Sequence, residues 1–199
     1  MTPSVPARLA GRAAGGAFAA VARVRHARPV HPHGPVFAAT ADLPTVVPGI
    51  RALHGRRVPA LLRLSRSFDL VSGMPDLLGV AVRLCDLHGP GEHQDLLVVS
   101  MLPPPLLVVP APATSYAHAW YSSLLPYKAG GRAALVAARS RCGPAVREGD
   151  ALEGAERAAA AGGLAFELAL AGPWHGVLPL GRVTAGALLP EDEAAGLAF

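Results

Sequence analysis

The chain has 199 residues, of which 51% are hydrophobic and 16% are charged, and its formal net charge is +4. This length suits one domain with a sizeable core, and so apolar a composition excludes an intrinsically disordered chain. All but one of the 18 basic residues are arginines scattered along the sequence, which argues against a nucleic-acid-binding surface and is typical of a GC-rich bacterial genome.

The N-terminal stretch is rich in alanine, and its larger apolar residues recur near helical spacing between arginines. This pattern predicts an amphipathic helix or arm over residues 1–25, with its regular part at 6–25. The stretch lacks the uninterrupted apolar run of a secretory signal, and prolines at 103–105 interrupt the best candidate for a membrane span. Cys85 and Cys142 follow no disulfide or metal-ligand spacing. We therefore expect a cytoplasmic protein with no membrane span, no nucleic-acid partner and no metal site.

From residue 35 onward, short runs rich in valine and leucine alternate with turns that contain glycine or proline. Eight such runs, with little helical pattern between them, predict a mainly β domain built as an antiparallel barrel or sandwich over residues 26–199. We expect the second, third and fourth runs to be neighbouring strands. The predicted strands are 35–40, 58–64, 80–84, 96–100, 106–109, 135–138, 164–170 and 177–183.

Two further segments carry other patterns. Residues 114–125 contain three aromatic side chains and are predicted to form a short helix. Residues 148–161 are rich in alanine, glutamate and arginine, which predicts either another short helix or a mobile loop. Within the strands, alternation places Leu62 and Leu64 on one face and Arg63 on the other, and in residues 80–84 it likewise separates Arg83 from the valines.

Five short blocks of sequence follow one another in the first half of the chain. The blocks are RPVHPHG at 28–34, FAAT at 37–40, LRLS at 62–65, PDLLGVAVRL at 75–84 and DL at 95–96. Their order and spacing resemble the front half of the heme catalase core, which runs R-x-x-H-A-K-G, F-x-V-T, V-R-F-S, D-P-x-G-x-A-x-K-F and D-L. The resemblance covers about half of the chain.

The resemblance implies a catalase-like antiparallel β-barrel with peripheral helices and a heme cofactor that acts on peroxide or a related oxidised substrate. By the same resemblance, His31 is the distal base and Ser65 holds its imidazole in one tautomer. Arg63 pairs with a heme propionate, and Arg28 is a second cofactor-binding residue. Ser100 stands where catalases place the distal asparagine. We expect this site at the mouth or in the interior of the barrel.

Two departures from the catalase pattern leave alternatives open. His26, in the sequence RVRHAR at 23–28, also matches R-x-x-H-A-K; loop length favours His26, whereas Gly34, three residues after His31, favours His31. No R-x-x-x-Y motif supplies the tyrosine that binds iron in catalases, so the resemblance implies either a truncated form or a degenerate relative. The chain is then expected to bind heme weakly, with activity lost.

The alternative function is a heme-free barrel that binds an apolar small molecule in the same cavity. Either way the expected partner is a small molecule, and homo-oligomer formation is left open. The presence or absence of an iron ligand separates the two hypotheses. The lack of an iron-binding tyrosine motif favours the heme-free barrel, whereas the retention of Arg63 and Ser65 favours heme binding.

Overall fold

The structure is a computed structural model that describes residues 34–45, 55–68, 73–117, 119–129, 131–142, 150–172, 176–197 and 199. The predicted N-terminal helix lies outside these residues. Two helices occur in the described ranges, α1 at Ala151–Ala160 and α2 at Glu191–Ala195. The strands in those ranges are β1 Val36–Leu43, β2 Arg56–Arg66, β3 Leu78–Gly89, β4 Glu92–Met101, β5 Trp120–Ser122, β6 Tyr127–Ala129, β7 Arg132–Ser140, β8 Ala165–Gly172 and β9 Gly176–Leu188.

The strands form one closed antiparallel barrel. Their order across the sheet is β5-β4-β3-β2-β1-β9-β8-β7-β6, and a further pairing between β5 and β7 closes a ring of eight strands. The predicted mainly β class and closed antiparallel sheet are therefore confirmed. The expected neighbours are also confirmed, since β2 pairs with β3 and β3 pairs with β4.

The short strands β5 and β6 act as two pieces of one interrupted strand. Both pair with β7, β5 through residues 137–139 and β6 through residues 132–134. At the interruption, the Ser123 amide donates to the Val136 carbonyl at 2.8 Å, and the Val136 amide donates to the Ser123 hydroxyl at 3.1 Å. The serine side chain thus continues the hydrogen-bond ladder where the backbone of residues 123–126 turns away from the sheet.

The predicted helix over residues 114–125 is wrong, and so is the predicted strand at 106–109. Residues 120–122 form β5 because two of the aromatic side chains, Tyr116 and Tyr121, fill the barrel interior. Residues 106–109 form turns, with the Leu106 amide donating to the Pro103 carbonyl at 2.9 Å. The prolines at 103–105 lack the amide donors that a strand ladder needs.

Large side chains fill the interior of the barrel. Tyr116 and Tyr121 stack with ring centroids 6.4 Å apart, and Phe166 meets Tyr121 edge to face at 5.7 Å. All three are completely buried, as is Leu62. The predicted alternation is confirmed, because Arg63 lies only half-buried between the fully buried leucines.

A buried ionic network ties β2 to α1. Arg66 donates to Asp150 at 2.9 Å and lies 3.6 Å from Asp76. The two carboxylate oxygens of Asp76 share a bifurcated hydrogen bond from the Phe68 amide, each at 3.2 Å. Asp150 also caps α1 by accepting from the Leu152 amide at 2.9 Å. The helix alternative for residues 148–161 is therefore confirmed. Among the described residues, no helix is both long and apolar enough to cross a membrane.

Candidate functional site

A groove of about 420 Å³ lies on the outer face of β2, β3 and β4. Strand register builds it from two rows of side chains that point away from the core: Arg63, Ala81 and Leu97 are opposite one another, and so are Ser65, Gly79 and Val99. The groove runs over the outer surface, rather than at the mouth or in the interior where the site was expected. Its remaining walls come from Ser123, Leu124, Leu125, Tyr127 and Phe199.

The floor of the groove is lined by small residues and its rim by apolar ones. Gly79 has no side chain and Ala81 only a methyl group, so no large side chain of β3 fills the groove. Leu97, Leu124 and Leu125 are large apolar residues that are about half to three-quarters exposed. A concave apolar surface with few polar groups is the usual form of a small-molecule site.

Arg63 brings a positive charge to one end of the floor. Its side chain is half-buried and lines the groove beside the buried Ser65. A guanidinium in such a place suits a carboxylate or phosphate, because its donors form a planar fork. The end of the groove therefore favours an anionic group on the ligand.

Arg83 lies on β3 two residues after Ala81 and is held by an ion pair. Arg83 forms two hydrogen bonds of 2.7 Å with Asp95, and the hydrogen bonds to this carboxylate raise the pKa of Arg83 above its ordinary value. The guanidinium also lies over the ring of Phe199, 4.8 Å from its centroid. This contact places the C-terminal aromatic ring at the edge of the groove.

Tyr127 lines the groove with its phenol already engaged. The phenol oxygen accepts from the Leu97 amide at 3.1 Å and donates to the Asp95 carbonyl at 3.3 Å. Among the described residues that line the groove, it is the one side chain of a type that binds ferric iron. In the described part of the chain, no group of three or more His, Cys, Asp or Glu side chains could hold a metal ion.

The structure brings together some of the predicted site residues. Arg63 and Ser65 line the same groove. His31, His26 and Arg28 lie outside the described residues. The residues that sequence reasoning missed are Leu124, Leu125, Tyr127 and Phe199, which come from distant parts of the chain and carry no motif.

Ser100 does not join Arg63 and Ser65. Val99 points outward into the groove, so the next residue points into the barrel. There the Ser100 hydroxyl accepts from the Leu78 amide at 3.1 Å and donates to the Ala111 carbonyl at 2.7 Å. Its observed contacts hold the loop after β4 to the start of β3.

No family model matches the chain, and no curated protein is significantly similar to it. Function is therefore inferred from the groove and from the ordered blocks of sequence.

Proposed function

We propose that the groove on β2, β3 and β4 binds heme in a catalase-like barrel, where the small residues of β3 would lie beneath the ring. The observation that carries this proposal is that Arg63, Ser65, Gly79 and Ala81, which come from two separate blocks of the catalase resemblance, line one groove. Its volume of about 420 Å³ falls within the usual range for ligand pockets, roughly 300–1,000 Å³.

The shape and charge of the groove suit a planar ring with carboxylate arms. Gly79 and Ala81 let a flat ring approach the backbone, and the exposed leucines at 97, 124 and 125 would lose apolar surface to it. The Arg63 guanidinium would pair with one propionate. Because Arg63 is half-buried, such a pair is less screened by solvent than an exposed one.

Gly34 ends the block at 28–34 and packs against β2. A side chain on Gly34 would overlap the Leu64 carbonyl oxygen, so the backbone of residue 34 lies directly against β2 beside Ser65. His31 lies outside the described residues, and its role rests on the resemblance of that block to the catalase pattern. We propose that the His31 imidazole moves a proton between the two oxygens of a peroxide and that the Ser65 hydroxyl orients the imidazole.

The described residues fit the ring and a propionate of heme but do not supply an iron ligand. Tyr127 is the one candidate among the described lining residues, and its phenol is held by Leu97 and Asp95. Because the sequence also has no R-x-x-x-Y motif, we propose that the groove binds the ring and its carboxylates and that the chain turns peroxide over slowly or not at all. The same observation favours the second candidate function, in which the groove binds an iron-free apolar molecule that carries a carboxylate.

Filling the floor of the groove tests the site. We expect the affinity for hemin, measured from its absorbance during titration, to fall about tenfold or more in Ala81→Trp, because the indole would occupy the space of the ring. Ala133→Trp is the matched control, since Ala133 is exposed on β7 away from the groove. Equal hemin affinity in Ala81→Trp and the unmodified protein, with circular dichroism unchanged, would show that heme does not bind in this groove.

A further inference from the structure

A second groove, of about 440 Å³, lies on the outer face of β7, β8 and β9, on strands that take no part in the first. Its floor is formed by Ala137 and Ala169, which are opposite each other across β7 and β8. Trp120 forms one wall, and Val177 and Pro179 from β9 form another. The groove therefore offers a compact apolar space beside an aromatic ring.

A row of alternating charges borders this space. Strand register places Arg139 opposite Glu167, Glu167 opposite Arg182, and Arg182 opposite Asp42. Glu167 turns toward two arginines, 2.9 Å from Arg141 and 3.5 Å from Arg182. The hydrogen bond from Arg141 is the main reason that the pKa of Glu167 lies below its ordinary value. The negative charge of Glu167 is thus already neutralised by Arg141 and Arg182.

Arg139 differs from its neighbours in the row. Its guanidinium lies over the Trp120 ring, 5.0 Å from the centroid, and it forms no ion pair with any carboxylate in the described part of the chain. Stacking uses the face of the guanidinium and leaves its in-plane donors available for a carboxylate. The ring also limits the rotamers of Arg139, so less conformational entropy is lost when an anion binds.

We propose that this second groove binds a small monocarboxylic acid with a compact apolar body. The carboxylate accepts hydrogen bonds from Arg139, and the body lies on Ala137 and Ala169 against the side of Trp120. A single negative charge suits the site, because Glu167 already binds Arg141 and Arg182 and leaves Arg139 as the cation for an external anion. This site is independent of the function proposed for the first groove.

Phenylacetate is a suitable probe, and phenylacetamide is its uncharged match. The chain has two tryptophans, so a Trp174→Phe background makes Trp120 the single fluorescent reporter. We expect saturable quenching by phenylacetate and binding at least about tenfold weaker for phenylacetamide, because the amide cannot form charge-assisted hydrogen bonds as an anion. Arg139→Gln in that background should weaken phenylacetate binding by a similar factor.

Two control variants keep the outcome decisive. Arg132→Gln removes an arginine from the same strand outside the groove, and Ala81→Trp fills the first groove; both should leave phenylacetate binding unchanged. The proposal is overturned if no saturable quenching occurs, if acid and amide bind equally, or if Arg139→Gln binds as tightly as its background. Loss of binding in Ala81→Trp would place the acid in the first groove and would also overturn it.

Discussion

Replacing Arg66 with methionine is expected to lower the free energy of unfolding by about 3–5 kcal/mol, the usual cost of removing one partner from a buried ion pair. The Arg66 side chain is 6% exposed and its partner Asp76 is fully buried. Methionine keeps most of the apolar contact but leaves the Asp76 and Asp150 carboxylates without the guanidinium. The loss should be larger than for a surface pair, because water cannot reach Asp76 to solvate it.

Urea denaturation measures this loss, and Arg157→Met is the matched control. Arg157 is exposed and its ion pair with Glu153 spans 4.0 Å, so the control should change stability by less than about 1 kcal/mol. The double variant Arg66→Met, Asp76→Leu should be less destabilised than the sum of its single changes, because the fully buried carboxylate of Asp76 is then gone and only that of Asp150 remains. Equal midpoints for Arg66→Met and Arg157→Met would mean that the network does not stabilise the barrel.

The second large effect is expected at alkaline pH. Burial raises the pKa of Tyr116 and Tyr121 well above the ordinary value of 10.0. Below pH 10.0, the ordinary pKa of tyrosine, both phenols are protonated in the folded and unfolded chains, and their contribution to stability is fully present. Above it the unfolded chain releases protons that the folded barrel retains, so stability falls by about 1.4 kcal/mol per pH unit for each tyrosine.

Unfolding free energies measured at several pH values above 10 test this expectation. Tyr121→Phe removes one of the two buried phenols, so its stability should fall less steeply with pH than that of the unmodified protein, by about 1.4 kcal/mol per unit. The Tyr121 hydroxyl makes one long hydrogen bond, 3.4 Å to the Tyr116 carbonyl, so the variant should fold normally. Tyrosinate absorbance that appears for both residues near pH 10 while the circular dichroism stays that of the folded barrel would contradict the account.

The sequence was most informative where strands alternate strictly. The alternation around Arg63 correctly predicted β2 and its neighbours, because each residue either packs in the core or faces out. Alternation gave no prediction for β5 and β6, because each has three residues and is too short to show a two-residue period. The aromatic residues of 114–125 have helical spacing, but Tyr116 and Tyr121 are held by tertiary packing in the barrel rather than by local propensity.

The groove itself was predicted only in part. Arg63 and Ser65 were found from short blocks of sequence, and the structure places them side by side on β2. Ser100 was chosen by counting five residues from Asp95, and an odd step along a strand reverses the face, so alternation alone would have placed it inside. The walls at Leu124, Leu125 and Phe199 depend on the interrupted strand and on the position of the C-terminus, which no local pattern encodes.

Parallel titrations with hemin and with metal-free protoporphyrin test the central claim, that the groove binds the ring and its carboxylates without an iron ligand. The account predicts dissociation constants within about threefold of each other, both raised in Arg63→Gln, because apolar contact and the Arg63 pair are common to the two ligands. Hemin binding about a hundredfold tighter than protoporphyrin, and loss of that difference in His31→Ala, would contradict the account and identify His31 as an iron ligand.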